Sequence, residues 1–204
     1  LSGAYASFAL LAALRRRAET GEGSEVRIPL SDVAIGTVAN LGSLAEVMYE
    51  GHDRPRLGNT VYGLFGRDFV TADGVRTMIV VVTPRQWANL IAALGLEEAV
   101  AAAEARLGVS FATDDGLRFD HRDALFPLFE QAVGARAHAD LAAAFDAGGV
   151  VHSAYRSMSE AVRDPALVAD NPIFGVAENP SGIVYPAAGA FATVPQLDRQ
   201  PPRP

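Results

Sequence analysis

The stretch Arg67–Gly95, RDFVTADGVRTMIVVVTPRQWANLIAALG, contains the signals that decide the fold. Two strand-like runs flank Asp73-Gly74, a pair that accepts the backbone conformation a twisted two-stranded ribbon needs, so the run reads as a β-hairpin. Thr83-Pro84-Arg85-Gln86 follows immediately. It joins an N-cap hydroxyl, a proline at the first helical position and a glutamine placed to complete a capping box. The helix it opens is expected to end near Gly95.

Downstream, helical patterns continue through LEEAVAAAEARL (96–107), HRDALFPLFEQAV (121–133) and HADLAAAFDAGG (138–149). Asp114-Asp115-Gly116 reads as a turn. VVHSAYR (150–156) reads as a strand, and Ser157-Met158-Ser159-Glu160 as a second capping box whose helix Asp164-Pro165 soon interrupts. The remainder is rich in proline and glycine, with extended pieces at Ile173–Val176 and Gly182–Tyr185, a texture that suits a tail wrapping a neighbour. These later strands are expected to join the hairpin in one small antiparallel sheet.

Upstream, the run Leu1–Leu14 is apolar on every side and precedes Arg15-Arg16-Arg17. Charge after the apolar run is the wrong order for a signal peptide, and the run is too short to span a bilayer. It reads as a helix that needs cover from other protein, ending at Gly21 and Gly23. EVRIPL (25–30) reads as a short strand, and a second helix capped by Ser31 or Asp32 runs to about Tyr49. From Gly51 to Gly66 glycine, proline and arginine dominate, as in a linker.

Composition narrows the chemistry. Of 204 residues half are hydrophobic and a fifth charged, which is ordinary for a folded domain, and the net charge is −7. An acidic chain whose longest basic run is three arginines is a poor partner for nucleic acid. The absence of cysteine removes disulfides, thiolate metal sites and a cysteine nucleophile, and suits the cytoplasm. The absence of lysine removes Schiff-base chemistry and a phosphate-loop lysine. His52, His121, His138 and His152 have no metal-ligand spacing, so no metal is expected; His152, on a strand, reads as a hydrogen-bonded core histidine. Gly21-x-Gly23 follows a helix instead of a strand and reads as a helix terminator, not a dinucleotide fingerprint.

The 51–66 stretch remains. Gly58, Gly63 and Gly66 allow a backbone to approach a ligand closely, and Arg54, Arg56 and Arg67 could pair with carboxylate or phosphate oxygens. The alternative reading is a solvated connection.

Several segments, taken together and in order, resemble one family: LLAALRRRAETGEGSEVRIPLSDVAIG (10–36), RPRLGN (54–59), FVTADG (69–74) and TPRQWANLIAALG (83–95). They are similar to the family III CoA transferases, which include formyl-CoA transferase, carnitine CoA transferases and 2-methylacyl-CoA racemase. YGLFGRDF (62–69) and AYRSMSEAVRDPALVADNPIF (154–174) look most like a member that moves CoA between two carboxylates of one molecule.

The resemblance implies an α/β fold. A Rossmann-like large domain would be joined to an α+β small domain, its small antiparallel sheet flanked by helices, and two chains would interlock as a dimer. In this frame residues 1–50 and 172–204 fall in the large domain, 51–66 in a linker and 67–171 in the small domain. It implies an acyl-CoA and a carboxylic acid as substrates, with CoA entering as a thioester and no permanently bound cofactor. It implies an aspartate nucleophile that forms a mixed anhydride and then an aspartyl-CoA thioester, a route that splits one hard exchange into easier steps.

By register that aspartate is expected just before Leu1, so no catalytic residue is assigned within the chain, and Asp32, Asp53, Asp68 and Asp73 are not equivalents. The N-terminal half of the same enzyme, and a GEHT-like segment after the final prolines, are expected outside the given residues. Carried over, Leu30 matches a position near the CoA thiol arm, and the loop comprising Gly58, Asn59, Tyr62, Gly63, Gly66 and Arg67 matches an active-site segment. Arg56 or Arg67 would hold the free carboxylate of a dicarboxylyl-CoA. The competing readings are a racemase of the same fold, working by proton transfer at the α-carbon, and a non-catalytic assembly module.

Overall fold

The structure, a computed structural model, describes residues 1–192, 194, 196–198, 200 and 202. It divides into two compact units, Leu1–Arg56 and Leu57–Pro204, and the boundary falls within the 51–66 stretch.

The first unit is helical. α1 (Ser2–Thr20) ends at Gly21, α2 (Leu30–Asn40) starts behind Pro29, and α3 (Ser43–Glu50) ends at Gly51. The single helix expected over 31–49 is two, because Gly42 takes a left-handed conformation and restarts the chain as the N-cap of α3. The strand expected at 25–30 is not formed: the segment alternates suitably, but among the described residues no strand pairs with it. None of the three helices has a buried residue; Phe8 is 74% and Met48 87% exposed. Residues this apolar on all sides of a helix leave a large uncovered hydrophobic surface. Among the described residues no helix is long and apolar enough to cross a membrane.

The second unit carries the core. β1 (Gly66–Val70) and β2 (Arg76–Val80) form the expected antiparallel hairpin, with Asp68 opposite Met78 and Phe69 opposite Thr77. Gly74 turns it at φ 81°, a conformation side chains disfavour. The turn is held from outside: the Asp73 carboxylate accepts from the Thr71 hydroxyl (2.5 Å) and the His138 backbone N–H (3.0 Å), which hold its pKa below the usual carboxylate range.

α4 (Pro84–Leu94) begins with the complete Thr83/Gln86 capping box and ends at Gly95. α5 (Glu97–Leu107) follows, then α6 (Asp115–Asp120), α7 (Arg122–Gly134), α8 (His138–Gly148), β3 (Val151–Ala154) and α9 (Met158–Arg163), the last opened by the expected Ser157/Glu160 box. Asp114 is the N-cap of α6, accepting from the Leu117 N–H at 3.0 Å, so the expected turn at 114–116 is a helix start.

β3 pairs with β2, giving the order β1-β2-β3. β4 (Phe174–Glu178) and β5 (Val184–Ala188) do not join this sheet; they pair with each other as a separate ribbon. Its turn is satisfied locally, since the side-chain oxygen Oδ1 of Asn179 accepts from the backbone N–H groups of Ser181 (3.0 Å) and Ile183 (3.2 Å). The part of the 172–204 assignment that concerns 193, 195, 199, 201, 203 and 204 lies outside the described residues.

One face of the three-stranded sheet is buried by α4, α7 and α8. Their apolar residues recur at helical spacing: Trp87, Leu90 and Ile91; Leu125, Phe126, Phe129 and Val133; Leu141 and Phe145. Phe65, Phe69, Trp87, Phe126 and Phe129 form an aromatic centre, with Phe65 4.6 Å from Phe129 and 5.1 Å from Trp87. His152 is the hydrogen-bonded histidine expected: Nε2 lies 3.0 Å from the Asp146 carboxylate and the ring sits edge-on to Phe145.

Thr77 carries an unmet polar group in this core, and outside it the Nδ1 atoms of His138 and His152 are likewise unpaired among the described residues. Thr77 is buried on the central strand, and its hydroxyl has no hydrogen-bond partner among the described residues. Thr77→Val keeps the shape and removes the unpaired group, so it should stabilise the unit by about 1 kcal/mol. A urea midpoint equal to or below wild type would count against this.

Candidate functional site

The loop from Leu57 to Gly66 closes on itself before entering β1. The Thr60 N–H donates to the Leu57 carbonyl (3.1 Å) and the Val61 N–H to the Gly66 carbonyl (2.8 Å). Gly58 (φ 60°) and Gly63 (φ 77°) supply the left-handed bends. Gly66 matters for another reason: a Cβ there would meet Val61 Cγ2 at 3.1 Å and Leu64 Cδ1 at 3.3 Å, so a larger residue would have to push these side chains aside by a few tenths of an ångström. Tyr62 packs edge-on to Phe119 of α6 at 5.1 Å.

The strand alternation separates the two charged residues that follow. Arg67 points to the helix-covered side. Its Nη1 lies 2.9 Å from Glu130 Oε1 of α7, and its guanidinium stacks over Phe126 (4.8 Å) and Phe69 (5.3 Å). A substrate carboxylate at Arg67 would therefore compete with Glu130. Asp68 points to the opposite side and is nearly buried. Burial alone pushes its carboxyl pKa up, but hydrogen bonds from Arg76 and from the Asn59 side chain outweigh this and hold it below the usual carboxylate range.

Of the other expected site residues, Leu30 and Arg56 belong to the first unit. Leu30 is the first residue of α2 and is 71% exposed, beside a hollow of about 340 Å3 lined by Tyr5, Ile28, Pro29, Asp32 and Val33. Arg56 is exposed and forms no ion pair among the described residues. In the second unit the structure gathers Gly58, Asn59, Tyr62, Gly63 and Gly66 into one loop, with Arg67 at its exit.

Two residues that organise this region were missed as such in the sequence. Asp68 enters the reading of the sequence only as a carboxylate not equivalent to the nucleophile, although a lone carboxylate amid strand residues signals a buried partner. Arg118 gave no signal: it is fully buried, and its guanidinium donates to the carbonyls of Phe111 (2.6 Å) and Ala112 (2.8 Å), pairs with Asp115 and lies 4.9 Å from the centre of the Trp87 ring. No group of three or more acidic or histidine side chains that could hold a metal occurs among the described residues.

Each unit has a feature to match against known proteins: in one a closed glycine loop feeds a three-stranded sheet backed by helices, and in the other the helices have uncovered apolar faces. The sequence model of CoA-transferase family III matches residues 1–204, and the chain belongs to that family. Among curated relatives, 2-methylfumaryl-CoA isomerase of Chloroflexus aurantiacus is 42% identical over 205 residues, covering 98% of this chain and 50% of the relative.

The solved structure of a CAIB/BAIF family protein from Brucella suis has a TM-score of 0.72 at 24% identity, covering 98% of this chain and 49% of that one. Rv3272 of M. tuberculosis has a TM-score of 0.70 at 22% identity, covering 99% and 52%. These two likenesses speak to the fold alone. The chain spans about half the length of the relatives it matches.

Proposed function

We propose that the chain is the downstream part of a CoA transferase that moves CoA between two carboxylates of one molecule, acting on mesaconyl-CoA. The observation that carries this reading is the 42% identity to 2-methylfumaryl-CoA isomerase across nearly the whole chain. The attacking aspartate, through which an aspartyl-CoA thioester would form, belongs to the upstream half of the complete enzyme. The uncovered apolar helices of the first unit support the need for that half, and for a homodimeric assembly, to cover them. The assignment of residues 1–50 and 172–204 to a large domain and 67–171 to a small one belongs to the same proposal.

The loop from Gly58 to Arg67 is the wall of the thioester site, and Leu30 lies near the thiol arm of CoA. Arg56 is the better of the two candidates for the free carboxylate, since Arg67 is already engaged by Glu130. The test is to incubate the complete enzyme with one regioisomer of mesaconyl-CoA and follow the other by chromatography. Exchange of solvent deuterium into the α-carbon of a 2-methylacyl-CoA, without regioisomer exchange, would replace this reading with a racemase. Neither turnover nor CoA binding would leave an assembly module. In the active enzyme Arg56→Ala should raise KM for the diacid thioester about 10- to 100-fold, the loss of a charge-assisted pair, with little change for a monoacid thioester. Equal effects on both would remove the clamp.

A further inference from the structure

We infer that the outer edge of β3 is a surface on which a second copy of this chain pairs, the two β3 strands running antiparallel about a two-fold axis at Ser153. The inference is independent of the substrate reading, and it names a contact between copies that lies outside the first unit.

The ladders fix which backbone groups face outward. The Val81 N–H donates to the Phe65 carbonyl (2.9 Å) and the Thr71 N–H to the Val75 carbonyl (3.0 Å), so the odd-numbered residues of β1 bond to β2 and the even-numbered ones face the outer edge. On the other side the Tyr155 N–H, just past β3, donates to the Arg76 carbonyl (2.8 Å). Val151, Ser153 and Tyr155 therefore bond to β2, while His152 and Ala154 face outward.

The two edges differ. Along β1 the Gly66 carbonyl accepts from the Val61 N–H (2.8 Å) and the Asp68 carbonyl from Arg67 Nε (3.2 Å), and just beyond the strand the Ala72 N–H donates to the Arg136 carbonyl (2.9 Å). That edge is closed. Along β3 the N–H and C=O groups of His152 and Ala154 have no hydrogen-bond partner among the described residues. No lysine, proline or bulge, the usual guards of a free edge, stands on Val151–Ala154.

An open edge accepts many extended chains, and the register is what selects a second copy. With the axis at Ser153, His152 of one copy lies opposite Ala154 of the other, and both N–H and both C=O groups of each edge meet their counterparts. A shift by one residue would set outward groups against inward ones. A shift by two would carry one of the two residues past the end of the other strand. The same register places Val151, 48% exposed, directly opposite Tyr155 of the second copy, also 48% exposed, and symmetry repeats this apolar pair. The Tyr155 hydroxyl lies 3.8 Å from Met78 Sδ, which keeps the ring on that face of the sheet. Ser153, small and exposed, meets itself at the axis, and no like charges oppose each other along the strand.

The experiment uses the complete enzyme. The Ser153 hydroxyl forms no hydrogen bond among the described residues, so substitutions there test pairing without disturbing the fold. On mild oxidation Ser153→Cys is expected to give a disulfide between two copies, located at residue 153 by mass spectrometry, because facing residues of such a pair lie within disulfide reach. Val151→Cys, which faces Tyr155, should give none. The His152 and Ala154 amides should exchange slowly in the wild type and at least about tenfold faster in Ser153→Lys, where two ammonium groups meet at the axis. Co-expressing Ser153→Lys with Ser153→Glu should restore the protection. Absence of the disulfide at residue 153 would overturn the proposal. So would fast wild-type exchange at His152 and Ala154, which leaves the edge to solvent, or slow exchange that Ser153→Lys does not alter, which gives the edge to another segment of the same chain.

Discussion

Arg118→Ala is expected to lower the unfolding free energy of the second unit by about 3–5 kcal/mol, the range for breaking a buried, hydrogen-bonded ion pair. The guanidinium is fully buried and satisfies three acceptors at once: two carbonyls of the 111–112 segment and the Asp115 carboxylate. Alanine leaves both carbonyls without their donor and opens a void beside Trp87. Lysine would keep the charge but not the fork, so Arg118→Lys should recover only part of the loss. Trp87 is the chain's one tryptophan and lies under Arg118, so its fluorescence reports the transition directly in a urea titration. A loss below about 1 kcal/mol, the usual scale of an exposed pair, would show that Arg118 does not organise this corner.

Phe65→Ala should be comparably severe, about 3–5 kcal/mol. Phe65 is fully buried at the junction of the glycine loop and β1. It contacts Phe69, Trp87, Phe126 and Phe129 with ring separations of 4.6–6.4 Å. Truncation removes the transfer free energy of a large side chain, leaves a cavity in a close-packed layer, and forfeits the edge-to-face contacts. Phe65→Leu fills most of the space and should lose less than half as much. Because Phe65 and Arg118 both touch Trp87, the double variant should depart from additivity. Equal losses for the alanine and leucine variants would argue against cavity formation as the cause.

Both predictions concern a region only partly visible in the linear chain. The hairpin and the two capped helices were legible because their causes are local. Asp73-Gly74 sets the turn, and Thr83/Gln86 and Ser157/Glu160 satisfy helix-end donors within four residues. The glycine loop was legible as a sharply bent segment, since Gly58 and Gly63 are needed for bends that other residues disfavour. The Asp68–Arg76 pair was not, because it depends on the strand register that sets Arg76 diagonally across from Asp68. Arg67 was a plausible carboxylate clamp from residue type alone, and the packing of α7 instead places Glu130 and Phe126 against it.

The sequence by itself determined the local elements of this protein, and its ordered motifs carried the family resemblance, because caps, turns and helical periodicity act over a few bonds. Tertiary structure alone decided that 25–30 stays unpaired, that β3 joins β2 while β4 and β5 stand apart, and that Arg118 and Asp68 are buried with partners. The reason is physical: a ladder and a buried charge both require groups brought together from distant positions, and no short-range pattern records which distant groups will meet.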